Sequence, residues 1–243
     1  MSNIDNRELK SKTYILGIRV NNVSKDRLLT AIEKRIIQKK NFYIVTPNPE
    51  LVLASTKNKQ LKDALNGADF AIPDGVGLKV AKSSLKIIKG RELFLDLITL
   101  AKKKNWRVFL LGGLDNEAEI VARKFHAQYA GGREITINLS KDIVDKINKF
   151  APHFLFVAFG NPKQEIFMYE NVKKLNAKCM MAVGGTFRYI TGFSKLPPKW
   201  MEGLGLEWLW RLFTEPFRLR RVWNAVVVFP VKVWLWKLSS LNS

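Results

Sequence analysis

The feature that most constrains this chain is an alternation of short β-type runs with segments of helical period, kept up from about Tyr14 to Val183. Tyr14 to Val20 reads as a strand; Ser24 is then a plausible N-cap, and Leu28, Leu29, Ile32 and Ile36 recur at the helix period. Further strands are expected at Phe42 to Val45, Asp69 to Ile72, Arg107 to Leu111, His153 to Phe159 and Cys179 to Val183. Helices are expected near Pro49 to Thr56, Glu92 to Lys103, Asn116 to Tyr129, Lys141 to Phe150 and Pro162 to Leu175. Such alternation predicts an α/β fold, a Rossmann-like and mostly parallel sheet flanked by helices. At 243 residues the chain has room for one such domain and an appendage, and is short for two full domains.

The alternation stops near Lys195, where Leu196-Pro197-Pro198 interrupts it. We therefore expect an α/β catalytic domain over 1–194 and a C-terminal, membrane-associating appendage over 195–243. Six of the seven tryptophans (Trp200, Trp208, Trp210, Trp223, Trp234 and Trp236) fall beyond that break, interleaved with Lys199, Arg211, Arg218, Arg220, Arg221, Lys232 and Lys237. Indole rings and long cationic side chains both favour the bilayer interface, and each base near an anionic leaflet contributes on the order of 1 kcal/mol. Trp200 to Phe213 also fits an amphipathic helix packed on the core, with Trp200, Leu204, Trp208 and Leu212 in one stripe. From Trp223 onward, Val226-Val227-Val228-Phe229 and Trp234-Leu235-Trp236 show no clean single face, which favours lipid.

No segment reaches the roughly 18 apolar residues needed to span a bilayer. Val222 to Leu238 comes nearest, but Asn224, Pro230, Lys232 and Lys237 interrupt it, so it is expected to lie on a membrane. Met1 to Lys12 carries no apolar stretch of the secretory kind. The lone cysteine, Cys179, sits in an apolar run and reads as a buried core thiol; a chain with no internal disulfide suits a reducing compartment. These readings place the protein at the cytoplasmic face of the cell membrane, held peripherally.

A formal charge of +20 favours anionic partners. The excess is spread along the chain, so charge does not choose among nucleic acid, anionic lipid and phosphorylated small molecules. No nucleic-acid-binding motif occurs, and the aromatics cluster with aliphatics rather than in a basic stacking groove. Nucleic acid is therefore not expected as a partner. A non-enzymatic polyanion binder stays as the alternative, and homo-oligomers are left open.

Ligands of open α/β sheets bind outside the carboxyl ends of the strands. Five turn-rich segments fall there: Thr46 to Glu50, Pro73 to Gly77, Gly112 to Asp115, Gly160 to Glu165 and Gly184 to Phe187. Asp74 follows the apolar run Phe70-Ala71-Ile72 and precedes Gly75, so it is expected at a strand end, partly desolvated. That setting suits a general base; capping the next helix is the competing role. Thr46 and Asn48 are candidates to orient a substrate hydroxyl, with turn formation beside the prolines as the alternative. Gln164 places an amide on the first turn of a helix, where anions and sugar oxygens are well received, or where it simply caps. Gly113 and Gly185, from two of these turns, join the expected substrate-binding set.

There is no Asp-x-Asp, and His126 and His153 have no partner at metal spacing, so neither a metal nor another cofactor is expected. No Walker A loop occurs either. If a nucleoside diphosphate leaves in the reaction, cationic side chains must stabilise it. Arg211, Arg218 and Arg221 are candidates, the last two sharing a helix face at a spacing of three.

The ordered set Thr46-Pro47-Asn48-Pro49-Glu50, Pro73-Asp74-Gly75, Gly90-Arg91, Gly160-Asn161-Pro162-Lys163-Gln164-Glu165, Gly184-Gly185-Thr186-Phe187 and Gly205-Leu206-Glu207-Trp208-Leu209 resembles the WecG/TagA/CpsF glycosyltransferase family. Its TagA-type N-acetylmannosaminyltransferase branch is the nearest in pattern, and the resemblance runs from about Tyr14 to Trp223. It implies an inverting, metal-independent transfer of N-acetylmannosamine from a UDP-sugar donor to N-acetylglucosamine on undecaprenyl diphosphate, a step of teichoic acid linkage-unit synthesis. It implies Asp74 as general base, Thr46, Asn48 and Gln164 as sugar-positioning groups, and Arg91 as an assisting residue in the pocket. Arg211, Arg218 and Arg221 would close over the donor diphosphate once an anionic membrane surface docks the appendage. Two departures bear on the donor: Arg188 follows Gly-Gly-Thr-Phe where the pattern has Asp, and the stretch Tyr129 to Lys141 is shorter than usual. An added cation there suits an acidic donor such as UDP-N-acetylmannosaminuronic acid; a UDP-hexose is the other alternative.

Overall fold

In the computed structural model, which describes residues 12–38, 40–215 and 219–241, the described residues begin with a hairpin of β1 (Lys12–Ile15) and β2 (Ile18–Asn21). The single strand expected over Tyr14 to Val20 is thus two antiparallel strands. Leu16 and Gly17 both take positive φ, as a tight two-residue hairpin turn of the primed type demands. The period-two pattern runs unbroken through that turn, which is why the sequence reads as one strand.

The body follows as α1 (Lys25–Ile37), β3 (Phe42–Val45), α2 (Pro49–Ser55), α3 (Lys59–Gly67), β4 (Phe70–Ala71), α4 (Gly90–Lys104), β5 (Val108–Gly112), α5 (Glu117–Phe125), β6 (Gln128–Ala130), α6 (Lys141–Phe150), β7 (Phe154–Ala158), α7 (Lys163–Asn171), β8 (Cys179–Ala182) and α8 (Thr186–Thr191). A 3-10 turn, Val76–Val80, lies between β4 and α4. Six strands form one sheet in the order β4-β3-β8-β7-β5-β6, with every neighbouring pair parallel. Strand β6 replaces the end of the helix expected over Asn116 to Tyr129. His126 takes a left-handed conformation that stops α5, and Gln128–Ala130 then pairs along the sheet edge.

Both faces of the sheet are covered, and the strands alternate between two cores. Tyr43, Val45, Leu155, Val157, Met180 and Ala182 face one core; Phe42, Ile44, Phe154, Phe156, Cys179 and Met181 face the other. This is the pattern of a parallel sheet buried on both sides. Cys179 is fully buried, and burial pushes its thiol well above the ordinary range, in keeping with a structural role.

Beyond α8 come α9 (Lys199–Gly203), α10 (Glu207–Thr214), α11 (Leu219–Trp223), a π turn (Asn224–Val228) and α12 (Phe229–Leu241). Gly205, at φ 72°, separates α9 from α10, so Trp200 to Phe213 is not one helix, and Trp200 and Leu204 are exposed rather than packed on the core. The last helix is anchored, because Phe229 and Val233 are buried in the core shared with β3 and β8. Trp234, Leu235 and Leu238 of the same helix face outward. Among the described residues no helix is long and apolar enough to cross a membrane.

Candidate active site

After β3 the chain runs to α2, α3 and the β4 edge, while after β8 it runs to α8, which packs against α5 on the other side of the sheet. A crevice opens where the connections diverge, as the switch-point rule requires. It holds about 1050 Å³ of space, part of it open to solvent. Thr46, Asn48, Asp74, Arg91, Gln164, Gly185 and Arg221 all line it, so seven of the residues singled out in the sequence converge.

Backbone bonds between loops bring them there. The amide of Asp74 donates to the carbonyl of Pro47 at 2.8 Å, and that of Ile88 to the carbonyl of Pro73 at 3.0 Å. The segments after β3 and β4 and the start of α4 are thereby held side by side. Gly75, at φ 89°, turns the chain away behind Asp74, a conformation that glycine adopts without strain. Gly90 is packed against the two side chains of interest. A methyl group on it would stand 3.2 Å from Thr46 Oγ1 and 3.3 Å from Asp74 Oδ2, so this hydroxyl and this carboxylate flank one small gap at the head of α4. Asn48 is the N-cap of α2, its Oδ1 accepting from the Leu51 amide at 2.9 Å, with Pro49 in the first helical position. Its capping and cleft-lining roles therefore coexist.

Gln164 is 3% exposed, and its amide is engaged at both ends. Nε2 donates to Asn161 Oδ1 at 2.7 Å and to Glu165 Oε1 at 2.8 Å, and Oε1 accepts from the Gly184 amide at 3.0 Å. It ties the turn after β7 to the turn after β8 and so fixes one wall of the cleft. Glu165 lies behind it, 1% exposed, and burial pushes its carboxyl up to about 7 against the lowering effect of the Gln164 hydrogen bond. A raised carboxyl value means the folded state prefers the proton. The associated stability is full below the ordinary value of 4.5 and is lost as pH rises through about 7. Chemical denaturation is expected to show a loss of about 3 kcal/mol between pH 4 and pH 8 from this group. In Glu165→Gln that part of the slope should disappear; an unchanged slope would remove Glu165 as its source.

The cleft's cations are each paired with a carboxylate. Lys89 bonds Glu207 and lies 3.4 Å from Glu202; Arg91 bonds Glu202 at 3.0 Å; Arg221 bonds Glu50 at 2.6 Å. Two of these partners, Glu202 and Glu207, come from α9 and α10, so the C-terminal helices are attached to the cleft by charge. Burial alone would raise the Glu202 carboxyl, but the Arg91 hydrogen bond and the charges of Lys89 and Arg91 outweigh it and hold the group below the usual range. Arg188 also lines the cleft, with its guanidinium 3.5 Å from the buried carboxylate of Glu117 and 3.3 Å from Ser194 Oγ.

Not every expected residue reaches the cleft. Gly113 directly follows β5, packed against Phe187 and the first turn of α5, and does not line the cavity. Arg218 lies outside the described residues, as does the side chain of Arg211. Sequence reasoning gave no role to Lys89, Glu50, Glu202 or Glu207. Lys89 adjoins Gly90-Arg91, and Glu50 and Glu207 sit inside quoted motifs, so their positions were visible although their pairings were not. Among the described residues no three His, Cys, Asp or Glu side chains form a group able to hold a metal ion.

A parallel sheet flanked by helices, with a polar crevice at the carboxyl ends of its strands, places the chain among the open α/β proteins that bind small molecules at that edge. The chain itself belongs to the Glycosyl transferase WecG/TagA/CpsF family, whose sequence model matches residues 13–243, and it is a glycosyltransferase. It is similar to the N-acetylglucosaminyldiphosphoundecaprenol N-acetyl-beta-D-mannosaminyltransferase of Bacillus subtilis (strain 168), at 32% identity over 203 residues, 79% of each chain. The protein of the same name from Bacillus spizizenii is 32% identical over 195 residues, 76% of each chain. That of Staphylococcus aureus (strain MRSA252) is 27% identical over 242 residues, 95% of each.

Proposed function

We propose that this chain transfers N-acetylmannosamine from a UDP donor to the N-acetylglucosamine of a polyprenyl-diphosphate-linked acceptor, with inversion and without a metal ion. The observation that carries this reading is the pairing of Asp74 and Thr46 around the gap at Gly90, inside a cleft lined by the cations Lys89, Arg91, Arg188 and Arg221. Asp74 takes the proton of an acceptor hydroxyl as its oxygen attacks the anomeric carbon. The bond from that carbon to the β-phosphate oxygen breaks, and UDP leaves with the electron pair. Arg221, with Arg211 and Arg218, meets the charge that develops on the diphosphate, a role that is effective in a water-poor site. Asn48 and the wall fixed by Gln164 hold the sugars. The names of the relatives support both the sugar moved and the lipid diphosphate acceptor.

The protein is proposed to act at the cytoplasmic face of the membrane, resting on the outward apolar side chains of its C-terminal helices. Trp223 is 58% and Trp234 61% exposed, in company with Leu219, Val231 and Leu235.

Arg188 bears on the donor. Its pairing with Glu117 offsets the extra positive charge, which favours a neutral donor sugar over an acidic one. A panel of UDP-sugars tested with a lipid-linked N-acetylglucosamine diphosphate checks this reading. UDP-N-acetylmannosamine should be preferred, and chelator should leave the rate unchanged. Preference for the uronic acid or a hexose donor would replace the donor assignment, and a strict need for added metal would overturn the metal-free step.

A further inference from the structure

A second cavity adjoins the cleft, a groove open to solvent along part of its length that holds about 980 Å³ of space. The two share Asn48, Glu50, Asp74, Lys89, Glu207 and Arg221, so one end of the second cavity is the polar end where the reaction is placed. Away from that end the wall becomes apolar, built from Pro49, Val76 and Ile87 on one side and Trp208, Val222 and Val226 on the other. The two sides come from different parts of the chain: the first from the start of α2, the 3-10 turn after β4 and the loop before α4, the second from the C-terminal helices. They approach closely: a methyl group on Gly205 would stand 2.9 Å from Val76 Cγ2.

We infer that this groove seats the isoprenoid units next to the diphosphate of the acceptor, an inference that rests on the acceptor reading proposed above. Polarity along the groove matches such a ligand from end to end. A glycosyl diphosphate needs a base and cations, which Asp74, Lys89 and Arg221 supply; a branched hydrocarbon chain needs a dry wall of aliphatic and indole groups. The outer lip points the same way. Val226 lines the groove yet is 37% exposed, and its neighbours Trp223 and Val227 are exposed beside it. A chain whose head lies at Asp74 therefore leaves the groove onto the apolar face proposed to rest on lipid, without crossing water.

The test compares two acceptors in detergent, N-acetylglucosamine diphosphate esterified to a prenyl chain and the same head group esterified to ethyl. In the full-length Val76→Ser/Val226→Ser variant, KM for the prenyl acceptor should rise about tenfold or more, as loss of apolar pocket contacts implies. KM for the ethyl acceptor and for the donor should stay at wild-type values. Val226→Trp, which fills the groove, should likewise lose the prenyl acceptor while keeping the ethyl one. Equal effects on both acceptors, or none on either, overturn the groove assignment. If the wild-type protein glycosylates neither acceptor, the acceptor reading itself falls and the groove assignment with it; transfer to both with no tail-dependent difference in the variants defeats the groove alone.

Discussion

Asp74→Asn is expected to lower kcat by about 10²–10⁴-fold while leaving UDP affinity and thermal stability close to wild type. The substitution keeps the size of the side chain and its place beside Thr46 and Gly90, but removes the group that accepts the proton. The backbone bond from Asp74 to Pro47 uses the main chain and survives the change. A purely structural role for this residue, capping the 3-10 turn or organising the loop, would be served nearly as well by asparagine. The carboxylate role would not. Single-turnover transfer measured beside UDP titration by calorimetry separates the two cases. A near wild-type rate in this variant removes Asp74 as the base, and lost UDP binding assigns the defect to cleft geometry instead.

That Asp74 was legible at all follows from its surroundings in sequence. A short apolar run, a carboxylate and a glycine mark a strand end, and four similar turns mark the same sheet edge. Backbone topology then brings them together, because a parallel sheet puts all its carboxyl ends on one side. The pairings inside the cleft were not legible. Arg91 meets Glu202 and Arg221 meets Glu50 across long stretches of chain, and no local period encodes that. Two assignments, one of a strand and one of a helix, failed for local reasons. Leu16-Gly17 hides a turn inside an alternating run, and β6 follows a left-handed histidine where Ala127 to Tyr129 still reads as helix. The C-terminal helices read as faceless because of the π turn at Asn224–Val228, which widens the helical repeat and rotates the apolar stripe out of phase. With that rotation Phe229 and Val233 turn inward while Trp223 and Trp234 stay outside.

The inward turn of Phe229 and Val233 determines how a membrane role for the C-terminal helices must be tested. Truncation after Pro198 would strip both residues from the main core, and losing a buried phenylalanine side chain alone costs about 3–5 kcal/mol. Activity lost on truncation would then report unfolding as readily as detachment from lipid. Replacing Trp223, Trp234 and Leu235 together by serine leaves the core intact, since all three side chains face solvent. Full burial of each such side chain is worth roughly 1.5–3 kcal/mol, so even partial insertion of the three predicts a fall in vesicle affinity of about 10³-fold. Salt should matter less than the net charge suggests, because two of the basic groups are turned to the α/β body. Lys232 Nζ lies 3.4 Å from Thr56 Oγ1, and Lys237 Nζ donates to the Val80 carbonyl at 3.0 Å. Sedimentation with anionic vesicles measures the binding, and transfer to acceptor presented in vesicles or in detergent measures its consequence. The expected result is lost binding and lost transfer on vesicles, with transfer in detergent preserved. Undiminished vesicle binding by the triple variant would show that these exposed side chains do not hold the protein to lipid.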